Sequence, residues 1–174
     1  MIVLQHWITN ALIFQSIWFS ALFFQSQALW FMTAGCVIML LGHSNRRLNM
    51  TLAFVGSVIG VLVERIAVES SLMSYQGEAI IPLWLWVLWI ALLLTLNKAL
   101  AKLLTLPMPV QILLFAVCAP PSYLGAANFD VLTIHQPWYV FWPTFGAMWS
   151  AGFYIIICIN RFLLGTNLAR GHAN

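Results

Sequence analysis

Residues 51–71 read TLAFVGSVIGVLVERIAVESS. From Thr51 to Val63 nothing is charged; then Glu64 and Arg65 stand side by side, with Glu69 a turn further on. An uncharged run of this kind, long enough with its flanks to approach the ~20 residues a bilayer crossing needs, reads as a membrane helix. The whole chain agrees with that reading. Of its 174 residues 63% are apolar and 6% charged, against about 45–50% and about 25% in soluble domains. A soluble fold could not cover its surface with so few charges.

Similar runs predict an all-α, polytopic bundle of about six spans within a single domain, residues 1–174. The spans fall at approximately 7–24, 28–41, 51–68, 82–100, 110–127 and 139–164. Gln25-Ser26-Gln27 separates the first two as a tight polar turn. Pro82 suits the first turn of the fourth. The first ten residues lack Lys and Arg, and no small-residue cleavage site follows, so the first run reads as a retained span.

Arg46, Arg47, Lys98, Lys102, Arg161 and Arg170 occupy alternate connections, whereas Glu64, Glu69, Glu78 and Asp130 fall toward the opposite side. Basic loops stay in the cytoplasm, so both termini are expected there, in a multi-pass membrane protein. The net charge of +3 is then an orientation signal, and the scattered basic residues exclude nucleic acid as a partner. Trp84, Trp86 and Trp89, with Trp138, Tyr139 and Trp142, read as an anchor belt at the outer face. Cys36, Cys118 and Cys158 read as buried, inert thiols. His6, His43, His135 and His172 match no metal-ligand spacing, so neither a metal nor a cofactor is expected.

Polar groups are expensive inside a span, about 2.5–3.5 kcal/mol for a charge at a helix centre, so they are the candidate site. Glu64 lies 13 residues after Thr51, about 20 Å along a helix, within the outer half of the membrane. Adjacent residues do not face each other on a helix, but Arg65 and Glu69, four apart, can pair. That leaves Glu64 to find its own partner or to take a proton. Asn10 and Gln15 on the first span are either interhelical packing groups or a cavity lining. Pro120 and Pro121 either kink the fifth span or end it in a buried irregular segment. Ser122 and Tyr123 follow directly. The candidate polar site is thus Glu64, Asn10, Gln15, Tyr123, Ser122 and Arg65, without an assigned catalytic residue.

NALIFQSIWF (10–19), IPLWLWVLWIALLLTLNKAL (81–100) and APPSYLGAANF (119–129) resemble a family of small bacterial inner-membrane proteins known as a domain of unknown function. Asn10, Phe14, Gln15, Trp18 and Phe19 match its first motif, and Pro82, Trp84, Leu85, Leu88 and Trp89 its second. Pro120, Tyr123, Gly125 and Ala126 match the third loosely, with Ala119 in place of a Gly. Glu64 falls where members carry an acidic residue. The resemblance implies a single domain and a connection to envelope or lipid biology; it assigns no catalytic residue.

Three functions follow as expectations. The first is a small permease, carrier or lipid-handling protein with a polar site in the outer half of the bilayer. The second is an accessory or assembly protein working through a membrane partner or a second copy. The third, a lipid-modifying membrane enzyme using Glu64 or His135, is the weakest, because no second catalytic group can be named. The reading therefore leans away from an enzyme.

Overall fold

A computed structural model describes residues 6–77 and 81–171. Glu78 and His172 lie outside the described residues. The fold is mostly helical. Among the described residues six α-helices occur in order: α1 (Trp7–Phe24), α2 (Leu29–Leu41), α3 (Arg46–Glu69), α4 (Leu83–Leu96), α5 (Met108–Ala127) and α6 (Trp138–Gly171). Two short strands, β1 (Met73–Tyr75) and β2 (Leu132–Ile134), complete it. Among the described residues four helical stretches are long and apolar enough to cross a membrane: Trp7–Leu41, Arg46–Glu69, Met108–Ala127 and Trp138–Thr166.

The first of these stretches doubles back. A 3₁₀ turn at Gln25–Ala28 separates α1 from α2, with Gln25 at φ 47°. The two helices then pack together, so closely that a Cβ on Gly35 would come within 2.7 Å of Ile17 Cδ1. Glycine at this crossing lets the backbones approach.

α3 begins at Arg46, a turn and more before the expected Thr51. Asn45 Oδ1 accepts a bond from Leu48 N at 3.1 Å, an N-cap that satisfies a backbone donor the first turn would otherwise orphan. α4 is shorter than the expected 82–100. Its 14 residues rise about 21 Å, less than the ~30 Å of a bilayer core. It stops at Leu96 because Asn97 turns its amide into a buried cluster. Asn97 Nδ2 donates to Asn49 Oδ1 at 3.0 Å and to Asn160 Oδ1 at 2.9 Å, and Asn160 Nδ2 returns a bond at 2.9 Å. Three elements are tied there by amides whose polar atoms need partners once buried. α6 is longer than expected, 34 residues, running on past Leu164.

The helices form an open arc. α4 packs against α1, α2 and α3; α3 also packs on α6, and α6 on α5. α1 and α5 are the two ends of the arc and make no extended contact with each other. Leu93, Leu94, Leu96, Phe145, Phe153 and Ile156 form part of the core, whereas Trp30, Phe54, Leu113 and Phe162 are exposed around the outside. Large exposed apolar side chains all round fit a lipid environment better than water.

One end of the bundle carries β1 and β2, paired antiparallel with Met73 opposite Ile134 and Tyr75 opposite Leu132. Neither strand was legible as a periodic run. The other end carries Arg46, Arg47, Lys98 and Lys102. There His43 Nε2 donates to Leu94 O at 2.9 Å and Lys98 Nζ donates to Gly42 O. Burial holds the His43 imidazole below its ordinary pKa, helped by the Lys98 charge and opposed by the Leu94 carbonyl.

Two expectations about side chains change. Trp84 and Trp89 are buried and face inward rather than forming an interfacial belt; Trp138 and Tyr139 are exposed, as a belt requires. Of the cysteines only Cys36 is buried; Cys118 and Cys158 are exposed on the flanks of α5 and α6.

Candidate functional site

Glu64 is completely buried, five residues before the end of α3. Tyr75 on β1 donates its phenol hydrogen to Glu64 Oε2 at 2.8 Å. Tyr123 on α5 donates to Oε1. Each carboxyl oxygen thus receives one phenol. Hydrogen bonds to a charged acceptor contribute about 1.5–3 kcal/mol, which is what offsets burying the group. The Trp149 ring packs against Tyr123 and the Trp89 ring against Trp149, and Trp149 Nε1 is buried with no hydrogen-bond partner among the described residues.

The neighbours explain how each ring is placed. Gly60 lies one turn before Glu64, and a Cβ there would overlap the Trp89 ring. Trp89 therefore lies flat on the α3 backbone, with Trp149 at a centroid distance of 4.7 Å and Phe153 at 5.7 Å. On α5, Pro120 and Pro121 do not end the helix, which runs unbroken to Ala127. Pro120 has no N–H to give the Ala116 carbonyl four residues back. α6 approaches that carbonyl through Gly146, where a Cβ would overlap Ala116 O. Ser150 Oγ donates to Ile112 O at 3.0 Å, one turn earlier on α5. Close packing of α6 on the proline turn holds Tyr123 at the carboxylate, and Tyr123 meets Trp149 at 5.8 Å and 73°.

A cavity of about 390 Å³ lies in front of these rings, between the two ends of the arc. α1 supplies Phe14, Gln15 and Trp18, α4 supplies Trp84 and Trp89, and α5 supplies Phe115, Ser122 and Tyr123. Tyr75 and Trp149 complete the inner wall. Glu64 sits behind Tyr75 and Tyr123 rather than on the wall itself. Phe23 and Phe129 meet edge to face at 5.3 Å where α1 and the end of α5 converge.

The six sequence candidates do not all meet. Glu64 and Tyr123 are in direct contact. Gln15 and Ser122 line the cavity from opposite sides of the arc's gap, and both are exposed. Asn10 lies away from the carboxylate: its Nδ2 donates to Leu94 O at 3.3 Å, near the end of α4, and its Oδ1 has no partner among the described residues. Arg65 points outward and its Nε pairs with Glu69 at 2.7 Å, the partner that the four-residue spacing provides. Tyr75 and Trp149 were missed. Tyr75 is the one aromatic residue in the connection between α3 and α4, and Trp149 belongs to the stripe Phe141, Phe145, Trp149, Phe153 at four-residue spacing; both signals were available. Among the described residues no group of His, Cys, Asp or Glu gathers to hold a metal, and His135 Nε2 instead hydrogen bonds Ser74 Oγ at 2.9 Å.

Fold and site define a helical protein, its apolar helices compatible with a membrane, with an aromatic cavity backed by a buried carboxylate. The chain belongs to the family described as "Protein of unknown function (DUF2878)", whose family model matches residues 7–155. No curated protein and no solved structure matches it.

Proposed function

We propose that the protein crosses the bacterial inner membrane about six times, with both termini in the cytoplasm, and binds a small solute or lipid in its cavity as a carrier or lipid-handling protein. The supporting observation is the Glu64 carboxylate, held by two phenols behind a cavity of about 390 Å³. A volume of this order suits a small ligand. The gap between α1 and α5 supplies a side entrance, with Gln15 and Ser122 at its edges. The orientation is supported by the separation of charge along the bundle: Arg46, Arg47, Lys98 and Lys102 at one end, Glu69 and Asp130 at the other. Positive residues mark the cytoplasmic side, which puts Glu64 in the outer half.

The test is complementation of a deletion strain, read by lipid analysis and solute uptake. Ser122→Trp fills the cavity mouth from an exposed position. It is expected to accumulate and fold as the wild type does while failing to restore the lost lipid species or uptake. Full restoration by both Ser122→Trp and Glu64→Gln would remove the cavity from the protein's function. A partner enzyme that co-purifies equally with wild type and both variants would then favour an accessory role.

A further inference from the structure

Resting on the reading of the cavity as a ligand site, we propose that its occupant carries a quaternary ammonium group, held among the Trp and Tyr rings in front of Glu64.

Charge is the first argument. Glu64 is fully buried, and its bonded partners, Tyr75 and Tyr123, are neutral donors. Among the described residues no Lys, Arg or His forms an ion pair with it. Arg65 beside it is tied to Glu69 on the outer surface. Two phenols stabilise a carboxylate without cancelling its charge, so Glu64 in its ionised form puts a field across the cavity wall that favours a cation.

The rings are the second argument. Trp18, Tyr75, Trp84, Trp89, Tyr123 and Trp149 line one cavity. Aromatic faces attract a cation lying within ~6 Å of the ring centroid, Trp most strongly. A phenol donating its hydrogen to a carboxylate gains electron density, and both tyrosines here do so. Tyr75 stands at 81° to Trp84 and Tyr123 at 73° to Trp149, so the walls meet in corners rather than in one flat stack.

The third argument selects among cations. A metal ion needs several oxygen ligands, and a primary ammonium brings three N–H donors that need acceptors. Both carboxylate oxygens already accept a phenol, and the remaining wall is largely apolar. A quaternary ammonium group brings no donors and a diffuse charge, and the ring faces meet both properties. The group can arrive on a free solute or on a lipid headgroup.

Tryptophan fluorescence of the purified protein in phosphatidylglycerol nanodiscs, titrated with choline and with its uncharged isostere 3,3-dimethylbutan-1-ol, tests the assignment. Choline should bind saturably and at least about tenfold more tightly than the isostere, a difference of about 1.4 kcal/mol. Glu64→Gln should remove most of that preference. Trp18→Leu, at a half-buried position, should weaken choline several-fold and the isostere less. In phosphatidylcholine nanodiscs, competition that weakens choline assigns the group to a lipid headgroup; unchanged affinity assigns it to a free solute. Equal affinity for choline and its isostere would overturn the cation while leaving the cavity in use. Failure of both to bind would overturn the cation as well, and the Ser122→Trp complementation would decide separately whether the cavity functions at all.

Discussion

Tyr75→Phe and Tyr123→Phe, singly and together, measure what holds the buried carboxylate. Each substitution removes one hydroxyl and keeps the ring, so packing against Trp84 and Trp149 is retained. Each single variant leaves Glu64 with one phenol donor, and should lose about 1.5–3 kcal/mol, the scale of a hydrogen bond to a charged group. The double variant strips both donors from a fully buried carboxylate. Removing the partners of a buried charge costs about 3–5 kcal/mol, so the double loss should come close to the two single losses added together, and any departure from that sum reads as a coupling of about 0.5–3 kcal/mol. Against a total stability of about 5–15 kcal/mol, that is a large share. Reversible unfolding in a fixed detergent, followed by circular dichroism, reads all four states of the cycle. Repeating the cycle in a Glu64→Gln background should shrink both the single losses and the coupling, since an amide tolerates the missing donors. If both single variants lose less than about 0.5 kcal/mol and the double variant adds nothing, the phenols do not hold a buried charge and the reasoning built on Glu64 falls.

Gly60→Ala should destabilise by about 1–3 kcal/mol through overpacking, because its Cβ overlaps a Trp89 ring that cannot retreat. Gly165→Ala, whose Cβ would meet nothing within 4 Å, should be neutral or stabilising by up to about 1 kcal/mol; thermal melts compare the two. His43, held below its ordinary pKa by burial, should contribute a pH dependence. The folded state keeps the imidazole neutral while the unfolded chain takes up a proton near pH 6.5. Its contribution is therefore complete above pH 6.5 and lost as the pH falls below it, by up to about 1.4 kcal/mol per pH unit; His43→Gln should remove that part of the slope in unfolding measured from pH 8 to 5. Asn97→Leu should leave the amides of Asn49 and Asn160 short of partners, at about 1–3 kcal/mol for each group left unsatisfied, seen as a lowered melting temperature that Asn97→Gln partly restores.

The first hairpin was readable because Gln25-Ser26-Gln27 interrupts two apolar runs where no single helix could cross once. The unbroken helix through Pro120 and Pro121 was not readable, since what accommodates it is Gly146 on another helix. Hydropathy also misplaced the ends of α3 and α4, where a side-chain cap at Asn45 and an amide cluster at Asn97 outweigh apolar content. Tryptophan content at the start of α4 suggested an interface, but the positions of Trp84, Trp86 and Trp89 in the sequence could not say which way the rings turn; Gly60 on the facing helix decides that for Trp89. At the site, burial cost pointed to Glu64 and the polar run after the prolines pointed to Tyr123. Tyr75 reaches the carboxylate through a three-residue strand, and so short a strand carries no periodic signature.

That small ladder has a consequence for the order in which the chain is completed. Its two strands come from the connections after α3 and after α5, and the two phenol contacts differ in the same way. Tyr75 is 11 residues from Glu64, whereas Tyr123 is 59 residues away. During synthesis the near phenol can reach the carboxylate as soon as α3 is laid down. The far phenol and the facing strand arrive only after α4 and α5 have emerged, and contacts of long sequence separation form late. Glu64 therefore passes through a stage with half of its final support, and the closing of the ladder coincides with the completion of the cavity. A chain truncated after α4 should hold this carboxylate poorly and be cleared by quality-control proteolysis faster than one that reaches β2.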